Sequence, residues 1–134
     1  MECELIILMG KKHKKSKLNK AIGKAWNFYS RNWRGQEPIT PAFKEKVYVT
    51  RLGWEHLVNP RHRRSKVEKI RRLEVLPLAK KLLTVATTYQ EHTVTNGFHY
   101  YAIQAVMDGK RIKVIVTSKT LNSKKCFLSV IVLR

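Results

Sequence analysis

The sequence predicts a segregated α+β domain, with helices first and an antiparallel sheet after them. Three observations carry this. Apolar residues recur at helical spacing in the first half, β-forming residues dominate from Thr87 onward, and Asp108-Gly109 separates two long β-rich runs. The expected architecture is a set of N-terminal helices packed on one face of a four-stranded antiparallel β-sheet. With 134 residues, 43% of them hydrophobic, the chain is long enough to bury a core and too apolar for a disordered polycation.

Each element follows from local signals. Leu18, Ile22, Ala25, Trp26 and Tyr29 mark an amphipathic helix from Leu18 to Trp33, ended by Arg34-Gly35. The stretch from Gln36 to Pro41 carries two prolines and reads as a linker. Val47-Tyr48-Val49-Thr50 is a short strand. Leu52 to Val58 is a helical turn or two, stopped by Asn59-Pro60. Ser65 is a suitable N-cap for a helix through Leu73, with Glu68 in the capping-box position and Val67, Ile70 and Leu73 on one face. Pro77 either starts a further helix, Leu78 to Val85, or kinks a continuous one. Thr87–Thr93, Phe98–Met107, Lys110–Lys119 and Cys126–Leu133 supply the strands. Residues 1–44 form a basic N-terminal extension with a short helix, and residues 45–134 the main body of what is overall one compact domain.

If Asp108-Gly109 is a two-residue turn, Met107 pairs with Lys110 and the register follows residue by residue. One face then carries Ala105, Ile103 and Tyr101 opposite Ile112, Val114 and Val116, an apolar surface for the helices. The other carries Gln104 opposite Lys113, Ala102 opposite Ile115, Tyr100 opposite Thr117 and Phe98 opposite Lys119. That second face is polar, cationic and aromatic, and no acid is expected on it. On the last strand Cys126, Leu128, Val130 and Val132 alternate with Phe127, Ser129, Ile131 and Leu133. Ser129 is its one hydroxyl, and which face it takes stays open.

The charge points to a polyanionic partner. There are 28 Lys and Arg against 9 Asp and Glu, a formal +19, and 21 of the 28 cations lie before residue 82. Self-repulsion of that size gains nothing for folding. Nucleic acid fits, because phosphate contacts with counterion release would supply most of the affinity. Dense basic runs at Lys11–Lys15, Arg61–Lys66 and Arg71-Arg72 mark where the backbone would be tracked.

Other classes find little support. Leu5–Met9 is the longest early apolar run, far short of the roughly 20 residues of a spanning helix. A signal-peptide h-region would be longer, would follow the positive charges and would end in small residues, so the chain is expected either to work in a cytosol or to be delivered by a route its sequence does not show, with no membrane partner. Cys3 and Cys126 are too few and too isolated for a disulfide framework or zinc knuckle. The nine acids are scattered, offering no pair to hold Mg²⁺, so any phosphodiester chemistry is expected to proceed without metal or cofactor.

The order of elements resembles a known family. Val47-Tyr48-Val49-Thr50, then Gly53-Trp54-Glu55-His56-Leu57, then basic helices with Leu76-Pro77, a hairpin, and a closing Phe127-Leu128-Ser129-Val130-Ile131 are similar to the barnase–EndoU–colicin–RelE-like (BECR) nucleases. The phage-associated, toxin-domain branch is the nearest in pattern. The resemblance covers roughly residues 45–133 and implies a RelE-like RNase fold and a small metal-independent endoribonuclease of toxin type, acting on tRNA or ribosome-bound RNA. It implies a site on the exposed sheet face, mixing His, Lys or Arg with Ser, Thr or Tyr. A helical histidine after the first strand and a hydroxyl on the last strand recur in related domains, which here are His56 and Ser129.

Such cleavage has the ribose 2′-OH attack the adjacent phosphorus to give a 2′,3′-cyclic phosphate. It needs a base, an acid and cations on the pentacovalent phosphate. His56 is the first choice for proton transfer, against an equal reading as a packed or capping histidine. Lys113 and Lys119 would stabilise the transition-state charge, and Lys113 would also contact the RNA. Thr117 and Ser129 would orient phosphate oxygens, with Tyr100 beside them. His92 and His99 flank the Thr95-Asn96-Gly97 loop, and either is a candidate second proton-transfer group; His92 also serves RNA binding. His13 and His62 sit within basic runs as phosphate contacts. Arg61, Arg63 and Arg64 are assigned to the RNA backbone. Trp26, Trp33 and Trp54 are read as core in preference to base-stacking platforms. The competing function is a non-catalytic RNA-binding module, ribosome- or phage-associated; a DNA-binding protein comes third, for want of a recognition-helix pattern. A toxin would also need an acidic immunity or antitoxin protein, which +19 suits.

Overall fold

A computed structural model of the chain describes residues 16–59, 61 and 63–133. The readings that fall on residues 1–15, including Cys3, His13 and the Lys11–Lys15 run, and on His62 lie outside the described residues.

Helix α1 (Lys17–Asn27) starts at Ser16, whose hydroxyl accepts the Asn19 amide at 3.1 Å. It widens without a break into a π-helical segment, Phe28–Trp33, where the Arg34 amide bonds the Tyr29 carbonyl. Tyr29 and Trp33 are wholly buried, and the Trp33 ring lies 4.8 Å from that of Phe127. The chain from residue 16 to residue 44 is therefore built into the same core as the rest. Trp33 is core, whereas Trp26 is 42% exposed and leans on Trp54 at 5.0 Å.

Strands β1 (Ile39–Thr40) and β2 (Glu45–Tyr48) follow, then α2 (Arg51–Val58), α3 (Lys66–Glu74) and α4 (Leu76–Val85). Ser65 caps α3, accepting the Glu68 amide at 3.1 Å. Val75 interrupts the helical hydrogen bonding, and Pro77 lies in the first turn of α4, so Pro77 opens a new helix. Strands β3 (Glu91–Thr95), β4 (Phe98–Met107), β5 (Lys110–Ser118) and β6 (Lys125–Leu133) complete the fold.

The fold is α+β, but the sheet corrects the four-stranded antiparallel expectation. It has six strands in the order β1-β2-β6-β5-β4-β3, and β2 runs parallel to β6. That parallel contact is short, Val47 with Lys125 and Tyr48 with Cys126. No local periodicity reports a pairing between segments so far apart in the chain. The stretch read as a linker also yields a strand, because Ile39 and Thr40 pair with Lys46 and Glu45.

The β4–β5 hairpin has the register expected of its turn, from Met107 opposite Lys110 to His99 opposite Ser118. Asp108 and Gly109 both take positive φ, 49° and 75°, the twist that a tight two-residue hairpin needs. Asn96 and Gly97, at 52° and 82°, repeat the device between β3 and β4. Tyr101, Ile103, Ile112, Val114 and Val116 are buried as a helix-facing set.

Alternation fails on β6. A bulge sets Phe127 opposite Val116 but Ser129 opposite Ile115, leaving Leu128 as the extra residue. Phe127 and Val130, three positions apart, are in consequence both wholly buried in the core. Past Cys126 the outer edge of β6 is met by α2, and Gly53 permits the approach. A Cβ there would lie 2.6 Å from the Phe127 carbonyl oxygen and 2.7 Å from the Tyr29 hydroxyl. Tyr29 in turn donates to the Thr50 carbonyl. Among the described residues no helix is long and apolar enough to cross a membrane.

Candidate functional site

The bulge and the close approach of α2 bring three separated segments together beside β6. Arg64, just before α3, donates from Nη1 to the His56 carbonyl of α2 at 3.0 Å. One helical turn further on, Glu68 accepts from Arg72 Nε at 2.9 Å. Arg72 then donates from Nη1 to Ser129 Oγ on β6 at 3.2 Å. Arg71 approaches the other Glu68 oxygen at 3.9 Å, too long for a hydrogen bond. Oε1 of Glu68 therefore keeps its acceptor capacity.

The electrostatics are unbalanced. Two guanidinium groups, those of Arg71 and Arg72, meet one carboxylate, with Arg72 and Glu68 both largely withdrawn from water, at 13% and 23% side-chain exposure. Burial lowers the affinity of Arg64 for its proton, the neighbouring Arg72 lowers it further, and Glu68 partly offsets both. The two guanidinium charges of Arg71 and Arg72 over a single carboxylate leave one positive charge uncompensated there. Planar guanidinium forks are the side chains best shaped to grip a phosphate. His56 stands half-buried on α2 at the margin of this cluster.

Among the residues singled out from sequence, Arg64 bonds the backbone carbonyl of His56, Ser129 bonds Arg72 one helical turn further along, and Arg61 and Arg63 lie exposed on the segment before α3. The others are elsewhere. Tyr100 and Lys113 line a shallow recess of about 80 Å³ with Glu91, Thr93 and Ile115, the last of which pairs with Ser129. An acid does stand on the face of Tyr100 and Lys113: Glu91, opposite Ala102, meets Lys113 at 3.3 Å and accepts from Gln104 Nε2 at 3.3 Å. Thr117 is buried and donates its hydroxyl to the His99 carbonyl at 3.0 Å. Lys119 is exposed beyond the end of β5 and makes no hydrogen bond or ion pair among the described residues.

His92 and His99 form a separate group at the β3–β4 end. Their imidazoles meet at 2.8 Å, Nε2 to Nδ1, and His92 stacks on Tyr101 at 4.5 Å. Nearby, Lys125 is buried at 4% exposure, held by Glu45 at 3.2 Å and by the Leu121 and Ser123 carbonyls. This lysine is structural.

Sequence reasoning passed over Glu68 as a site residue and Arg72 as more than part of a basic run. A signal was present: Glu68 and Arg72 are four residues apart, which places them on one face of α3. Reading Glu68 only as a cap hid it, since its amide serves the cap while its carboxylate serves Arg72.

Among the described residues no three His, Cys, Asp or Glu side chains are grouped to hold a metal ion. Comparison with protein-family models, with curated proteins and with solved structures finds no match to this chain.

Proposed function

We propose that this chain is a metal-independent endoribonuclease of toxin type, a member of the BECR group it resembles, with its active site at Glu68, Arg72, Arg64, His56 and Ser129. One observation carries the reading: Arg71 and Arg72 meet a single carboxylate, Glu68, and Arg72 ties it to Ser129 on the last strand. In this reading the Arg64 and Arg72 forks hold the scissile phosphate and stabilise the charge that builds on it. Glu68 takes the proton of the ribose 2′-OH, whose oxygen attacks phosphorus. The 5′-oxygen leaves with a proton from His56, giving a 2′,3′-cyclic phosphate and a free 5′-hydroxyl. Ser129 acts as a positioning residue, since it is buried and accepts from Arg72, holding that guanidinium in place. Arg61 and Arg63 extend the cationic track along the RNA.

This reading moves the chemistry from the Tyr100–Lys113 recess to the edge of β6. Lys113 is already matched by Glu91, and Thr117 by a backbone carbonyl. The test is incubation of the protein with total RNA in EDTA, followed by end-group analysis. Discrete fragments ending in 2′,3′-cyclic phosphate support the proposal. Intact RNA that is bound with strong salt dependence would favour a non-catalytic RNA-binding module instead.

A further inference from the structure

A groove of about 850 Å³ runs between α1 and the junction of α3 with α4. Its floor is apolar, made by Ala21, Ala25, Phe28, Ile70, Leu73 and Pro77. Its rim is cationic, with Lys17, Lys20 and Lys24 from α1 and Lys110 from the β4–β5 turn, against Glu74 alone. None of these four lysines makes an ion pair or a side-chain hydrogen bond among the described residues.

The rim works against the fold that carries it. Lys17 and Lys20 lie in the first turns of α1, which holds no acid there, so they face the positive end of the helix dipole. Lys20 and Lys24 are four apart on the same helical face, where like charges repel. Folding alone gains nothing from that arrangement, whereas an anionic occupant would relieve both strains. The floor narrows the choice. A phosphate backbone offers nothing to a strip of Ala, Phe, Ile and Leu, and a second copy of this chain would bring further positive charge. A helix with an apolar ridge between acidic flanks satisfies floor and rim together.

We infer that this groove docks an acidic amphipathic helix of a partner protein. The inference is independent of the nuclease reading, because no groove residue belongs to the Glu68 cluster.

The test uses the full chain and a synthetic peptide with leucines along one helical face and glutamates on its flanks. A control peptide of equal charge has every leucine replaced by serine. At physiological salt the leucine peptide is expected to bind at least tenfold more tightly than the control, a ratio of about ten marking a specific contribution. Ala21→Arg, which fills the floor, and the exposed pair Lys20→Glu with Lys24→Glu, which reverses the rim, should each remove that preference. Circular dichroism verifies that both variants fold. Equal binding of the two peptides, or a preference that survives both variants, overturns the inference. So does competition from a short single-stranded RNA whose own affinity falls with Ala21→Arg, which would make the groove a nucleic-acid channel. Self-association abolished by Ala21→Arg would assign it to a second copy and likewise overturn the inference.

Discussion

Arg72 and Ser129 are 57 positions apart, yet the guanidinium of one donates to the hydroxyl of the other at 3.2 Å. The contact ties α3 to the last strand just where the bulge turns β6 out of strict alternation. Because Ser129 is 3% exposed, it fixes the Arg72 fork against a nearly immobile point. On the proposed mechanism, Ser129→Ala leaves charge and fold in place but frees that fork. Cleavage should fall about tenfold or more while stability drops by only about 1 kcal/mol, the worth of one hydrogen bond. Single-turnover cleavage set beside urea denaturation checks this. A stability loss large enough to explain the lost activity would contradict a positioning role.

Gly53 is the closest point between α2 and the sheet. Its neighbours are the Phe127 carbonyl and the Tyr29 hydroxyl, the first of them fixed backbone. Gly53→Ala is expected to destabilise the fold by about 1–3 kcal/mol, despite the better helix propensity of alanine. Denaturant midpoints measure it. A stabilised variant would mean that α2 sits further from β6 than described.

Alkali should weaken the fold through two groups. Burial raises the affinity of the Cys126 thiol for its proton, with Lys124 pulling partly the other way. Burial does the same to the Tyr29 phenol, against the opposing charge of Arg34. Both hold their protons more tightly folded than unfolded, so the stability they carry is complete below their unfolded-state ionisation and is lost as pH rises through and beyond it. The denaturation midpoint should begin to fall above about pH 8.5, where an unfolded thiol ionises. Cys126→Ala should flatten the first part of that fall. An unchanged slope in the variant would count against a buried thiol.

Arg61 and Arg63 are exposed and assigned to RNA phosphates. Replacing each with alanine should reduce the slope of log affinity against log salt by about 0.7, as for one phosphate contact on a single strand. Salt titrations by fluorescence anisotropy give the value. An unaltered slope would place the RNA elsewhere on the surface.

Much of the scaffold was legible in local signals. Ser65 announced the start of α3, and Asp108-Gly109 set the whole β4–β5 register, because a two-residue turn leaves one alignment open to it. What local pattern could not supply was tertiary. The pairing of β2 with β6 joins segments nearly 80 residues apart, and the β6 bulge, beside which Phe127 packs on Trp33, breaks the alternation a sequence pattern relies on. The site suffered most from this. His56, Arg64 and Ser129 were visible as residue types, but Glu68 and Arg72 gain meaning only once α3 is laid against β6. The open face looked free of acid because Glu91 lies on a strand whose register no turn at Asp108 could fix.

The most direct test concerns Glu68 alone. Glu68→Gln keeps the shape of the side chain and removes a negative charge, so RNA affinity should hold or rise. If Glu68 is the base, single-turnover formation of 2′,3′-cyclic phosphate in EDTA should fall by about 10²-fold or more. A variant that cleaves at the wild-type rate, with binding unchanged, would contradict the assignment of the active site to this cluster.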